Sequence, residues 1–331
     1  MKPETAAFAL FGALVLGVGI PWLGIRMLMP SLEKASKVKN YRGRDVFLGL
    51  GIVWLIWAGC AIVAGAGVSW LGPELAGSMV VALTLAGPFA LVAFSLGAAD
   101  DIYGTGDSRG FRGHLAALRR GRLTTGGMKL FGVSLAAFVV ALVLSAISPW
   151  GVGVPISGGA ALLGAVGLAL VAGAAIALTS NLVNLTDLRP GRALKVYSVL
   201  ALAGVFSAVL GLGPQATEFV EPGGEQATLV LDLVVLTIFL LGPVLAVWRY
   251  DVGEIAMLGD AGANPMGAVA GMFVVAGLPR WGLFLYLGLV LALNLVSERH
   301  SFSSVIAGNR VLSWLDGLGR ELESCENAPP E

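Results

Sequence analysis

At 331 residues, with 56% hydrophobic and only 13% charged side chains, the chain excludes a water-soluble domain, whose hydrated surface needs roughly 25% charged residues. The formal net charge is zero, so only the placement of the charges carries information. Two cysteines far apart, Cys60 and Cys325, exclude a disulfide framework and show no metal-ligand spacing.

A mean hydropathy of +0.84 and 47 glycines suit helices packed closely in lipid, where small residues let backbones approach. A hydrocarbon core about 30 Å thick takes about 20 apolar residues per helix. Such runs lie near Ala6–Ile25, Val46–Leu71, Met79–Ala98, Lys129–Ile147, Gly158–Thr179, Ala193–Leu212, Thr228–Trp248, Asn264–Leu278 and Trp281–Val296. The first is expected to be a retained helix rather than a cleaved signal, because Lys2 and Glu4 make a poor leader and no small-residue cleavage site follows. The predicted fold is all-α: a polytopic bundle of nine transmembrane helices, or ten if a weak segment is uncounted.

Placing the N-terminus outside puts 19 of the 21 basic residues in inward-facing segments, leaving only Lys2 and Arg280 outside. That bias is the one expected of cytoplasmic loops. The loop near Gly213–Ala227 fits the opposite side, carrying Glu218, Glu221 and Glu225 with no Lys or Arg. The C-terminus is then cytoplasmic. In the tail, Val305, Ile306, Val311, Leu312, Leu315 and Leu318 recur roughly as one helical face, which suits either the membrane surface or the cytoplasmic loops. Asn327–Glu331 is expected to be disordered.

Three inward segments differ from ordinary connectors. The first holds the pair Asp100-Asp101, then His114, Thr124-Thr125-Gly126-Gly127 and Lys129. Adjacent carboxylates at the end of an apolar helix call for a compensating cation, and oxygen ligands at a membrane boundary suit Mg²⁺. Capping or pairing with nearby arginines is the plainer alternative. The second holds Asn181, Asn184 and Asp187 at three-residue steps, which predicts one polar helix face aimed into a site. Hydrogen bonding between helices is its alternative. In the third, Leu258-Gly259-Asp260-Ala261-Gly262, glycine permits a left-handed backbone, and the following helix offers free N–H groups to an anion. A plain turn with a capping aspartate is the alternative there.

These motifs, in this order, resemble the polyprenyl-phosphate N-acetylhexosamine-1-phosphate transferases. That superfamily includes the phospho-MurNAc-pentapeptide translocase and the enzymes that initiate teichoic acid, O-antigen and arabinogalactan synthesis. The resemblance runs from the first apolar run to about Val305. It implies Mg²⁺-dependent (or Mn²⁺-dependent) transfer of a sugar 1-phosphate from a UDP-sugar to undecaprenyl or another polyprenyl phosphate, with release of UMP. It implies Asp260 as principal metal ligand and Asp100 as the residue that contacts or activates the lipid phosphate. Asp101 would support the metal or the donor pyrophosphate. Asn181, Asn184 and Asp187 would hold the nucleotide and metal-bound phosphate, and Lys129 the phosphate charge. A region 1–300 would be catalytic, with cytoplasmic segments 26–45, 99–128, 180–192 and 249–263, followed by a tail 301–331. The implied setting is a bacterial inner membrane with the bilayer as partner, a homodimer, and no nucleic acid.

The sequence departs from the family twice. Asp187-Leu188-Arg189-Pro190-Gly191-Arg192 replaces a second carboxylate and glycine, and Glu298-Arg299-His300 replaces a histidine cluster. With His114, these residues are the candidates for reading the donor, and Arg189, Arg192 and Arg299 for meeting an extra phosphate or carboxylate. Contact with lipid headgroups is their alternative. Two other functions remain: transport or flipping of a phosphorylated lipid or anion, and binding of polyprenyl phosphate without turnover.

Overall fold

The computed structural model describes residues 3–34, 37–71, 78–104, 110–151, 159–216 and 225–320. Arg109, Glu218, Glu221, Cys325 and the expected disordered terminus lie outside the described residues.

The chain is a helical bundle. Helices α1 (Pro3–Gly12) and α2 (Ile20–Leu32) are joined by a π-helical stretch, Ala13–Gly19, into one rod. Then follow α3 (Ile52–Leu71), α4 (Ser78–Tyr103), α5 (Gly110–Arg119), α6 (Thr125–Leu144), α7 (Gly159–Thr186) and α8 (Arg192–Ala216). The last five are α9 (Glu225–Val252), α10 (Asp260–Gly277), α11 (Arg280–Arg299), α12 (Phe302–Ala307) and α13 (Arg310–Gly317). Each of the nine apolar runs falls mainly in one of the long helices. Among the described residues, seven helices are long and apolar enough to cross a membrane; the apolar part of α3, Ile52–Gly67, is shorter. Many large apolar side chains face outward, including Phe8, Leu135, Val199, Leu210 and Trp281, as lipid-facing helices require.

α10 is the axis of the bundle. Every residue from Ala261 to Ala276 is buried, and the helix packs on α4, α7 and α8. Backbone groups left over inside the bundle are satisfied by side chains. Pro243 brings no N–H to α9, so the carbonyl of Phe239 lacks its partner four residues on, and it accepts from Trp57 Nε1 at 2.8 Å. Tyr197 donates to the next carbonyl, Leu240, at 2.9 Å. Trp150 Nε1 caps the far end of α10 by donating to Val275 O at 3.0 Å.

One end of the bundle gathers the segments before α3, between α4 and α6, between α7 and α8, between α9 and α10, and after α11. A small sheet, unforeseen in the sequence, ties two of them together. Strand β1 (Lys37–Lys39) pairs antiparallel with β2 (Asp45–Leu48), and β2 pairs parallel with β3 (Ala256–Met257). The expected apolar run beginning at Val46 therefore starts as a strand. Its cause is the turn before it, where Asn40 Oδ1 accepts from the N–H groups of Arg42 (2.9 Å) and Arg44 (3.0 Å) and folds the hairpin. Val46 is buried in that sheet, and the helix begins only at Ile52.

Candidate active site

The site is built where α4 ends against the beginning of α10. Gly97, one turn before the aspartate pair, lies so close to α10 that a Cβ there would stand 2.3 Å from the carbonyl oxygen of Asp260. Only glycine lets α4 approach this far. The approach delivers Asp101 to the helix terminus: its Oδ1 accepts from Asp260 N–H at 3.0 Å and its Oδ2 from Ala261 N–H at 2.9 Å. The N–H of Gly262 bonds to Gly259 O at 3.0 Å. The start of α10 thus binds an anion, as expected of a helix N-terminus, but the anion is the chain's own Asp101. The expected free N–H groups are taken. Gly259 has φ +66°, and a Cβ there would also meet Asp101 Oδ2 at 2.7 Å.

Asp100, the other member of the pair, turns to α6. Lys129 Nζ lies 2.8 Å from Asp100 Oδ2 and also bonds Asp260 Oδ2, so one ammonium bridges two carboxylates from distant segments. Thr125, in the first turn of α6, lies beside Asp100. The three charged side chains keep only 16–23% of their surface, so hydration of each is poor and mutual pairing matters. The helix that carries Lys129 is fixed at its first turn: Thr124 Oγ1 accepts from Gly127 N–H at 3.0 Å and lies 2.8 Å from His114 Nδ1. His114 therefore buttresses the cap of α6 and, among the described residues, bonds none of the carboxylates directly.

The polar stripe of α7 divides. A three-residue step falls about 60° short of a full turn, so Asn181 and Asp187 differ by about 120° around the helix. Asn181 points to α11, where its Nδ2 donates to Asn294 Oδ1 at 2.7 Å, and Asn294 in turn donates to Leu178 O at 3.0 Å. This is the helix-to-helix alternative. Asn184 makes no side-chain hydrogen bond among the described residues. Asp187, just past the helix end, does reach the site. Its carboxylate lies beside the N–H of Gly259 and in the field of Asp251, Asp260 and Asp101. The residue is half-buried. Loss of hydration, and then the neighbouring negative charges, hold it well above the usual carboxylate range.

Beside Asp187 a pocket opens between the β1–β2 turn and the 187–190 loop, lined among others by Asn40, Tyr41, Arg189, Asp251 and Glu254. The Arg189 guanidinium stacks 4.7 Å from the Tyr41 ring centre. Asn40, Asp251 and Glu254 lie within the expected cytoplasmic segments, but no motif marks any of them. Asp251 is buried and accepts from Gly191 N–H at 2.6 Å, which shapes the turn after Asp187. Glu254 has φ +53°, a strained backbone for a residue other than glycine, and its carboxylate is held by Asn40 Nδ2 at 2.8 Å. An isolated residue just after a helix end was the available signal, and it is weak.

The other arginine of the turn is engaged elsewhere. Arg192 is 4% exposed, and its guanidinium forms a two-pronged pair with Asp316 at 2.9 Å on both prongs and donates to Ser303 at 2.9 Å. In this structure its charge is met by the chain itself rather than left for a substrate. Arg299 and His300, at the end of α11, are exposed.

Among the described residues no three His, Cys, Asp or Glu side chains form a ready metal cage. A hard cation completed by substrate phosphates needs only one or two carboxylates, and Asp100 with Asp260 supply two that already share a positive charge. The donor set fits Mg²⁺. No known family model matches the chain, and no curated protein sequence matches it significantly.

Proposed function

We propose that this protein is a multi-pass phosphoglycosyltransferase of the inner membrane, with its active site on the cytoplasmic side. It transfers a sugar 1-phosphate from a UDP-sugar to a polyprenyl phosphate and releases UMP. The observation that carries the reading is the meeting of Asp100, Asp101, Asp187 and Asp260 with Lys129 at one end of a membrane bundle. A site of paired carboxylates, a lysine and a helix terminus suits a phosphate-bearing substrate. The motif order that resembles the polyprenyl-phosphate transferases points the same way. So does the orientation that places 19 of 21 basic residues, and with them this end of the bundle, inside.

In this reading the lipid phosphate attacks the sugar-bearing phosphorus of the donor. The new P–O bond forms as the pyrophosphate P–O bond breaks, and the electron pair leaves with UMP. A lipid phosphate is already largely anionic near neutral pH, so the step needs charge neutralisation and in-line positioning more than a strong base. Asp260 and Asp100 would hold Mg²⁺, which when bound supplies neutralisation of the pyrophosphate charge. Lys129, released from one of its carboxylates, pairs with phosphate oxygens. Asp101 fixes the first turn of α10, and hence Asp260, in place. Asp187 sits between the carboxylates and the pocket of Tyr41 and Arg189, the natural place for the donor's nucleotide.

The test is UMP release by the purified full-length protein from a panel of UDP-sugars. Undecaprenyl phosphate and Mg²⁺ are supplied with and without EDTA, beside Asp260→Ala. Release with one donor, lost with chelation and with the substitution, is the expected result. Folded protein that binds the lipid phosphate but releases no UMP from any donor would overturn the enzyme reading in favour of binding or transport.

A further inference from the structure

The segment after α11 has two opposite faces. At about 100° per residue, Val311, Trp314 and Leu315 of α13 fall within an arc of about 100°, and Asp316 lies about 150° from its centre. The Asp316 face is pinned to the bundle. Besides the Arg192 pair, Asp316 accepts from Arg320 at 3.0 Å, Lys195 donates to the carbonyls of Leu315 and Asp316, and Arg320 donates to Pro190 O at 3.0 Å. Ser303, held by Arg192, fastens α12 to the same place. The apolar face points away, leaving Val311 66% and Trp314 65% exposed.

We propose that α12 and α13 form a strap lying on the membrane surface, with the apolar face of α13 seated at the boundary between headgroups and acyl chains. The height of the anchor argues for lipid as the occupant. Arg192 and Lys195 open α8, whose membrane-crossing stretch begins at Arg192, so the strap is tied at the level where the bilayer starts. Its other end leaves α11 through two residues only, and Leu295 and Val296 in the last turns of α11 are outward-facing apolar residues of a membrane-crossing helix. Its chemistry fits a headgroup boundary: an exposed tryptophan, with the exposed cation Arg310 one turn before it and the exposed Arg299 where the strap leaves α11, matches an anionic lipid surface. The strap thereby links the membrane plane to the Pro190–Arg192 turn, next to Asp187. The inference is independent of the reaction carried out at the carboxylates.

The experiment uses the full chain with Cys60→Ala and Cys325→Ser, reconstituted in vesicles of phosphatidylethanolamine and phosphatidylglycerol. Spin labels are placed singly through Val311→Cys, Trp314→Cys or Ser313→Cys. Collisions with oxygen, which concentrates in lipid, are compared with collisions with a water-soluble nickel chelate. Oxygen should dominate at 311 and 314 and nickel at 313. Nickel dominating at all three would place the face in water and overturn the proposal. Spin–spin broadening at 311 that vanishes on dilution with unlabelled protein would assign the face to a second copy and overturn it equally. Should Trp314→Cys fail to yield monodisperse protein, Leu315→Cys serves in its place.

Discussion

Asp101 and Asp260 lie 159 positions apart in the chain, yet the carboxylate of the first accepts the backbone N–H of the second at 3.0 Å. The first turn of α10 is therefore capped by a residue from another helix, not by its own N-cap. Asp101→Ala removes this bond and its twin to Ala261, leaving two N–H groups at the start of a buried helix unsatisfied. A loss of about 2 kcal/mol is expected, read as a lower unfolding midpoint in detergent. Asp101→Asn, which keeps an acceptor, should lose less.

Lys129→Met should leave Asp100 and Asp260 facing each other without a counter-ion. Removing one partner of a poorly hydrated pair costs about 2–4 kcal/mol. Asp100→Asn added to Lys129→Met should restore part of that loss, so the double variant should be more stable than the sum of the single losses. A thermal-unfolding cycle measures this coupling. With the ammonium gone, millimolar Mg²⁺ should raise the unfolding midpoint more in Lys129→Met than in the parent, and EDTA should cancel the difference.

Gly97→Ala tests the close approach of α4 to α10. The added methyl would collide with the backbone of Asp260, so the helices must part. Overpacking of this kind costs about 1–3 kcal/mol, and here it also withdraws Asp100 and Asp101 from α10. UMP release should fall well below that of a control such as Gly59→Ala, where a Cβ meets nothing within 4 Å.

The Asp316 latch predicts an acid limit for the strap. Burial alone would raise this carboxyl, but the Arg192 hydrogen bond and the charges of Arg192, Arg320 and Lys195 outweigh it and hold the carboxyl below its usual range. A depressed carboxyl stabilises the docked form above its unfolded value of about 3.9, and that stabilisation disappears as the pH falls through the lower, folded value. Amide exchange in α13, corrected for intrinsic rates, should stay slow from neutral pH down to about 4 and quicken below. In Asp316→Asn it should be fast throughout.

How much of this was legible depended on whether a signal was local. Apolar runs of the right length mark long helices without reference to the rest of the chain, and all nine runs fall mainly in helices. The aspartate pair, Asp187 and Asp260 were visible because charge at the edge of an apolar run is rare. The partition of the α7 stripe was not visible, since the 120° between Asn181 and Asp187 matters only once α11 supplies Asn294. The strand at Asp45–Leu48 was hidden because an apolar strand continues smoothly into an apolar helix. Asp251 and Glu254 were missed because their partners, Gly191 and Asn40, are remote in sequence.

The position of α10 has a consequence for biogenesis. The helix on which α4, α7 and α8 pack is encoded in the last quarter of the chain. The earlier helices must therefore form before their common packing surface exists, held meanwhile by their own contacts, such as those of α3 with α4 and of α6 with α7. Final closure of the bundle, and with it the gathering of Asp100, Lys129 and Asp187 around Asp260, is a late event of synthesis. A chain truncated before Asp260 would have no site at all.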